Sequence, residues 1–208
     1  MPSRPATVDR NNAPLLTPDI DPVAQTVRDG GVIAYPTEAV FGLGCRPDTP
    51  EALERILEIK GRPATKGLIV VTDRLERLAS WLAPLPAERR AEIDASWPGP
   101  TTWLLPATHD CPALLRGEHD SLAVRVTAHS ATRALCAAAD SALVSTSANR
   151  AGAEPCRTWD CVASQLGAGI DAILQAECGG RTAPSAIRDA RTGAWLRGEP
   201  GPDATTNH

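Results

Sequence analysis

Between residues 19 and 198 the chain alternates apolar runs of three to five residues with stretches whose apolar side chains recur at helical spacing. Runs of that length suit single buried strands, and each longer stretch can form one amphipathic helix. A chain patterned in this way must fold as α/β, with its helices packed on the sheet they connect. Val32 to Tyr35, Leu68 to Val71, Thr102 to Leu105, Leu122 to Val126 and Ala142 to Ser145 read as strands. Shorter ones follow at Ile173 to Gln175, Ser185 to Asp189 and Ala194 to Arg197.

Helix signals fall between these strands. Asp21-Pro22 supplies a cap and a first-turn proline before a periodic stretch that stops at Gly30-Gly31. Thr49-Pro50 opens a helix with Leu53, Ile56, Leu57 and Lys60 on one stripe, closed by Gly61. Further helices are predicted over Asp73 to Trp81, Pro86 to Ser96, Ser130 to Ala139 and Thr158 to Leu166. No repeat or linker interrupts this span. The predicted architecture is a single domain over 19–198 with a twisted mixed sheet flanked by helices. Residues 1–18 are rich in proline and polar side chains and read as a flexible arm, and 199–208 as a flexible tail.

Several function classes are excluded at once. Apolar residues make up 42% of the 208 and recur along nearly the whole chain, which a disordered protein cannot sustain. No apolar run approaches the ~20 residues that a membrane helix requires. Met1 to Asn12 lack the apolar core of an export signal, so the expected location is the cytoplasm. A formal net charge of −4 argues against a surface coated for nucleic acid but permits a local basic pocket. The six cysteines contain no CxxC pair and the four histidines supply no companion ligands, so reduced, buried thiols are expected and no metal site can be assigned directly.

Three clusters carry the chemistry. Tyr35-Pro36-Thr37-Glu38 ends a buried strand and is followed by Gly42-Leu43-Gly44, a terminus where α/β proteins collect ligands. Lys60-Gly61-Arg62-Pro63 and Lys66-Gly67 hold the only two lysines among 21 basic residues, with no acid from Lys60 to Val71. Such cations can converge on a polyanion, Arg as a planar fork and Lys as a mobile point charge. The segment is not a Walker loop. Ser145-Thr146-Ser147-Ala148-Asn149 follows an apolar strand and can donate to phosphate or to the water shell of Mg²⁺. Ser121 and Arg125 share a strand face, and Trp97 to Thr101 form a rigid loop.

In this order the strings 34–45, 60–70, 97–106, 120–126, 144–149, 184–190 and 196–198 give a chain that resembles the YrdC/TsaC family of threonylcarbamoyl-AMP synthases over residues 20 to 198. The resemblance implies a YrdC-like sheet with an open concave cleft, in a short form of the family. It also implies an enzyme joining L-threonine, bicarbonate or CO2, and ATP, with Mg²⁺ as the accompanying ion. The product, L-threonylcarbamoyl-adenylate, would pass to tRNA threonylcarbamoyl transferase proteins that modify adenosine beside the anticodon. By family position, Lys60 and Arg62 are catalytic. They lie along ATP together with Lys66, Ser121, Ser147, Asn149 and Arg197, while Thr37, Arg125, Ser145 and Ser185 hold threonine, Arg125 through its carboxylate. Val71 departs from longer relatives that carry a polar substrate-contacting residue there, which leaves that contact open.

Two other readings compete. One is adenylation of plain carbamate from carbamoyl phosphate, known in much longer chains with extra modules. The other is weak RNA binding on a basic face, against which stand the acidic total charge and the single tyrosine and phenylalanine.

Overall fold

The computed structural model describes residues 13–198. In chain order its elements are β1 (Leu15–Thr17), α1 (Ile20–Arg28), β2 (Ile33–Pro36), β3 (Phe41–Gly44), α2 (Pro50–Lys60), β4 (Ile69–Thr72) and α3 (Ala87–Ala95). They continue with β5 (Thr101–Pro106), α4 (Ala113–Arg116), β6 (Ser121–Val126), α5 (Ser130–Ala139) and β7 (Leu143–Ser147). The last are α6 (Trp159–Leu166), β8 (Ala172–Leu174), β9 (Ala186–Asp189) and β10 (Trp195–Arg197). The ten strands form one mixed sheet in the order β1-β8-β2-β3-β7-β4-β6-β5-β9-β10.

Some elements differ from those predicted. Leu15–Thr17, inside the stretch read as an arm, is an edge strand parallel to β8. The rest of that arm, and the tail from 199, lie outside the described residues. Strand β3 was not predicted, because Gly42 and Gly44 read as ladder breakers. A Cβ on Gly44 would sit 2.4 Å from the Val144 carbonyl oxygen and 2.6 Å from the Tyr35 ring, so this glycine lets the buried tyrosine cross the ladder. The stretch 73–81 tightens into a 3-10 helix over Leu75–Trp81. The N-cap of α1 is Asp19, two residues before the predicted cap. Helix α2 starts and stops as its sequence predicts, with Pro50 in its first turn and Gly61 left-handed at φ 54°.

Both sheet faces are covered, but unequally. On one face α2, α3 and α6 enclose a large core containing Leu53, Ile56, Val70, Trp103, Leu122 and Val124. On the other, α1 and α5 cover only the β2 side, over Tyr35, Val71, Leu135 and Leu143. That roof stops between β4 and β6. Val71 pairs in register with Arg125, yet Val71 is fully buried under α5 and Arg125 opens onto bare sheet. Strand β7 also changes partner along its length: Leu143 to Ser145 pair with β4, Thr146 and Ser147 with β3. The uncovered half of the sheet and the switching strand make a concave cleft.

Candidate active site

Strand alternation decides what the cleft wall presents. Leu122 and Val124 of β6 turn to the large core, which directs Ser121, Ala123 and Arg125 to the cleft. By the same rule Val144 is buried and Ser145 faces outward. The cavity measures about 590 Å³, within the usual range for small-molecule sites. Nine of the eleven residues expected in the site line it: Thr37, Arg62, Lys66, Ser121, Arg125, Ser145, Ser147, Ser185 and Arg197.

Lys60 and Asn149 stand behind that lining. Lys60 ends the buried stripe of α2, so its ammonium arrives beneath the end of β7. There Nζ donates to the carbonyl oxygens of Ser147 (2.7 Å) and Asn149 (2.9 Å), and also meets Ser147 Oγ (3.2 Å) and Asn149 Oδ1. Ser147 Oγ in turn donates to Asn149 Oδ1 at 2.6 Å. Lys60, expected to lie along ATP, thus grips the 147–149 turn. Burial first, and then the charge of Arg62, lower the Lys60 pKa to about 8.

The loop after α2 is pinned from outside. Thr65 accepts from the Glu118 amide (3.1 Å), and Leu68 donates to Leu115 (2.9 Å). A Cβ on Gly117 would lie 2.2 Å from the Thr65 oxygen, so only glycine permits this approach. Arg62 Nη2 folds back onto the carbonyls of Lys66 (3.2 Å) and Gly67 (3.0 Å), whereas its buried Nε has no partner among the described residues. Lys66 is exposed at the rim.

Opposite this loop, Arg125 pairs through Nη1 with Glu38, whose other oxygen accepts from Thr127 Oγ1 at 2.6 Å. Burial opposes ionisation of Glu38, but the Arg125 charge and the hydrogen bonds from Thr127 and Arg125 outweigh it and hold the carboxyl below its ordinary pKa. The carboxylate found on Arg125 is therefore internal. The Nε of Arg125, also buried, has no partner among the described residues. Arg197 donates to the Ser185 carbonyl (2.9 and 2.7 Å) and hydroxyl (3.2 Å), which joins a residue assigned to nucleotide with one assigned to threonine. Burial and the nearby Arg125 charge both lower the Arg197 pKa. Like charges held this close favour an anionic guest.

Val71 does not line the cleft; its carbonyl lies 4.0 Å from Cys136 Sγ in the core. Glu38, from the cluster that ends β2, also lines the cavity, as do Arg116, Arg157 and Arg181, for which no sequence signal was found. Arg157 reaches the carbonyls of Arg181 (3.4 Å) and Thr182 (3.3 Å), a pairing with no local signature. Nor are all thiols reduced. Cys156 and Cys161 form a disulfide next to Arg157, while Cys45, Cys111, Cys136 and Cys178 are free. Among the described residues no three His, Cys, Asp or Glu side chains converge as a metal site, and no helix is long and apolar enough to cross a membrane.

A family model described as Sua5/yciO/yrdC, telomere recombination, matches residues 25–197. The threonylcarbamoyl-AMP synthase of Nitrosococcus oceani is 53% identical over 174 residues, 84% of this chain and 94% of that one. That of Xanthomonas campestris pv. campestris is 51% identical over 183 residues, 87% and 98% of the two chains. Among solved structures, P. abyssi Sua5 complexed with L-threonine superposes with a TM-score of 0.78 at 29% identity, covering 86% of this chain and about half (54%) of that one. E. coli YciO superposes with a TM-score of 0.76 over 90% of this chain and 95% of its own, at 24% identity, and so speaks for the fold alone.

Proposed function

Since the chain belongs to the Sua5/YciO/YrdC family, we infer that it is a threonylcarbamoyl-AMP synthase, which makes L-threonylcarbamoyl-adenylate for tRNA modification. The observation that carries this reading is a single cavity. Its cationic loop and hydroxyl turn face a buried guanidinium with one edge unpartnered among the described residues.

The reaction has two steps. The neutral amine of threonine adds to CO2 and releases a proton to water, and a carbamate oxygen then attacks the α-phosphorus of ATP. The bond to the β-phosphate breaks, and diphosphate leaves with its electron pair. Both reactants are anions, so the chain must offset their repulsion and the charge growing on the leaving group. We assign that task to Arg62 and Lys66, with Ser147 and Asn149 oriented by Lys60. Ser121 and Arg197 lie along the nucleotide. Arg125 takes the amino-acid carboxylate.

The hydroxyls divide by their own bonding. Thr37 Oγ1 donates to the Val40 carbonyl at 2.7 Å and so offers substrate an acceptor. Ser185 Oγ accepts from Thr102 at 3.0 Å and from Arg197, which leaves its proton to donate. Together with Ser145 they can bracket a β-hydroxyl, a polar match that penalises an analogue lacking it.

The two cleft carboxylates, Glu38 and Glu154, do not fit a resident cation site: Glu38 is committed to Arg125 and Thr127, and among the described residues no three His, Cys, Asp or Glu side chains converge. Mg²⁺ enters with ATP as part of the substrate. In this reading the protein works in the cytoplasm and hands the labile adenylate to tRNA threonylcarbamoyl transferase proteins.

A diphosphate-release assay with each component omitted tests it. Release should require ATP, bicarbonate and L-threonine together, and 2-aminobutyrate should replace threonine poorly. Release supported by carbamoyl phosphate without threonine would favour the carbamoyl reading. Tight RNA binding without any release would favour a binding module on the cationic rim.

A further inference from the structure

Arg125 is 6% exposed and lies in the cleft wall with only part of its guanidinium satisfied. A guanidinium offers a carboxylate two forks, one across Nη1 and Nη2 and one across Nε and Nη2. Glu38 occupies Nη1, so the fork across Nε and Nη2 remains, its Nε buried and without a partner among the described residues. A buried donor left in that state is costly until something accepts from it.

Glu38 itself is fixed from several directions. Thr127 Oγ1 donates to its second oxygen at 2.6 Å, and Thr127 Oγ1 accepts from the His129 amide at 3.1 Å. Its carbonyl accepts from the Arg181 amide at 2.9 Å. Gly179 packs against its Cα so closely that a Cβ there would stand 3.1 Å away. A side chain braced in this way is built to stay when ligand arrives.

We propose that Glu38 is a positioning residue: it holds one end of Arg125 so that the Nε fork stays turned towards the α-carboxylate of the amino-acid substrate, and thereby sets the requirement for a free carboxylate. The proposal rests on the reading of this cleft as a threonine site. The opposite arrangement, in which Glu38 is a plug that threonine must displace, predicts the opposite sign of effect. The geometry speaks for positioning, since Glu38 takes only Nη1 and is itself held in place by Thr127 and by the backbone at Gly179.

The experiment measures KM for L-threonine and for ATP, by diphosphate release, in wild type and in Glu38→Gln, Glu38→Ala and Thr127→Val. Both Glu38 variants should raise the threonine KM about tenfold or more, the scale of one charge-assisted contact. The ATP KM should stay within about twofold, which a general loss of structure would not respect. Thr127→Val keeps the volume, removes the hydroxyl, and should raise the same KM by about two- to fivefold. The penalty for replacing L-threonine with L-threonine amide should shrink in the Glu38 variants, because that penalty reads the Arg125 fork. An unchanged or lowered threonine KM overturns the proposal, a lowered one in favour of the plug. If both Glu38 variants unfold by circular dichroism, Thr127→Val decides, and an unchanged KM there is equally fatal. Failure of the underlying function shows separately, as wild-type diphosphate release that ignores threonine.

Discussion

Lys60 meets four acceptor atoms with three protons, and all four belong to Ser147 and Asn149. Removing it leaves two carbonyls without their donor at the end of a buried stripe. Lys60→Ala should therefore lower both turnover and stability, the latter by about 1–3 kcal/mol, the cost of stranded buried acceptors. Arg62 faces the cavity, so Arg62→Ala should cut turnover about ten- to hundredfold with little change in melting temperature. Diphosphate assays beside thermal melts would separate the two, and equal melts would count against the cage around Lys60. Its pKa of about 8, down from 10.5, gives the pH dependence a sign. Between those values the unfolded chain binds more protons than the fold, so Lys60's contribution to stability rises with pH across that window. Activity should move the other way. Above about pH 8 the turn loses its full complement of donors and turnover should decline. Lys60→Arg, weaker but always charged, should lack that alkaline decline.

At the scale of elements, strand β3 depends on glycine for clearance. Gly44→Ala would drive a methyl against the Val144 carbonyl and the Tyr35 ring, costing about 1–3 kcal/mol as overpacking, or several degrees in a melt. A Gly44→Ala protein that melts with wild type would contradict this packing. The same glycines show why β3 was illegible: one residue at a time they read as ladder breakers, and only the tertiary crossing of Tyr35 explains them. Leu15 and Leu16 of β1 are about half exposed on an edge, so no burial pattern marked them as a strand. Elements with a full stripe and caps, such as α2, were legible almost to the residue. The Cys156–Cys161 bridge closes a short loop beside Arg157. Reduction, or Cys161→Ser, should destabilise the protein by about 2 kcal/mol in the chain-entropy estimate for so short a loop. An unchanged melt under reducing conditions would show that the bridge contributes nothing.

The whole molecule gains its site by leaving half of one sheet face unroofed. The large core fixes the strand alternation, and that alternation turns Ser121, Arg125 and Ser145 into the space that α1 and α5 do not cover. Much of this was legible, because the motifs cluster at strand ends and nine of the eleven expected residues line the cavity. What escaped the sequence was partnership: Glu38 on Arg125, Arg157 on the 181–182 carbonyls, Lys60 on the 147–149 turn. Those pairings join residues far apart in the chain, and no local pattern encodes them. The central claim is that this cleft welds a carbamate of threonine to AMP. Incubating the purified protein with ATP, L-threonine and ¹³C-bicarbonate, followed by mass spectrometry of the quenched mixture, tests it most directly. The account predicts a threonine–carbonyl–AMP adduct that carries the ¹³C label and falls about ten- to hundredfold in Arg62→Ala. An unlabelled AMP adduct, or labelled product that forms equally well without threonine, would contradict it.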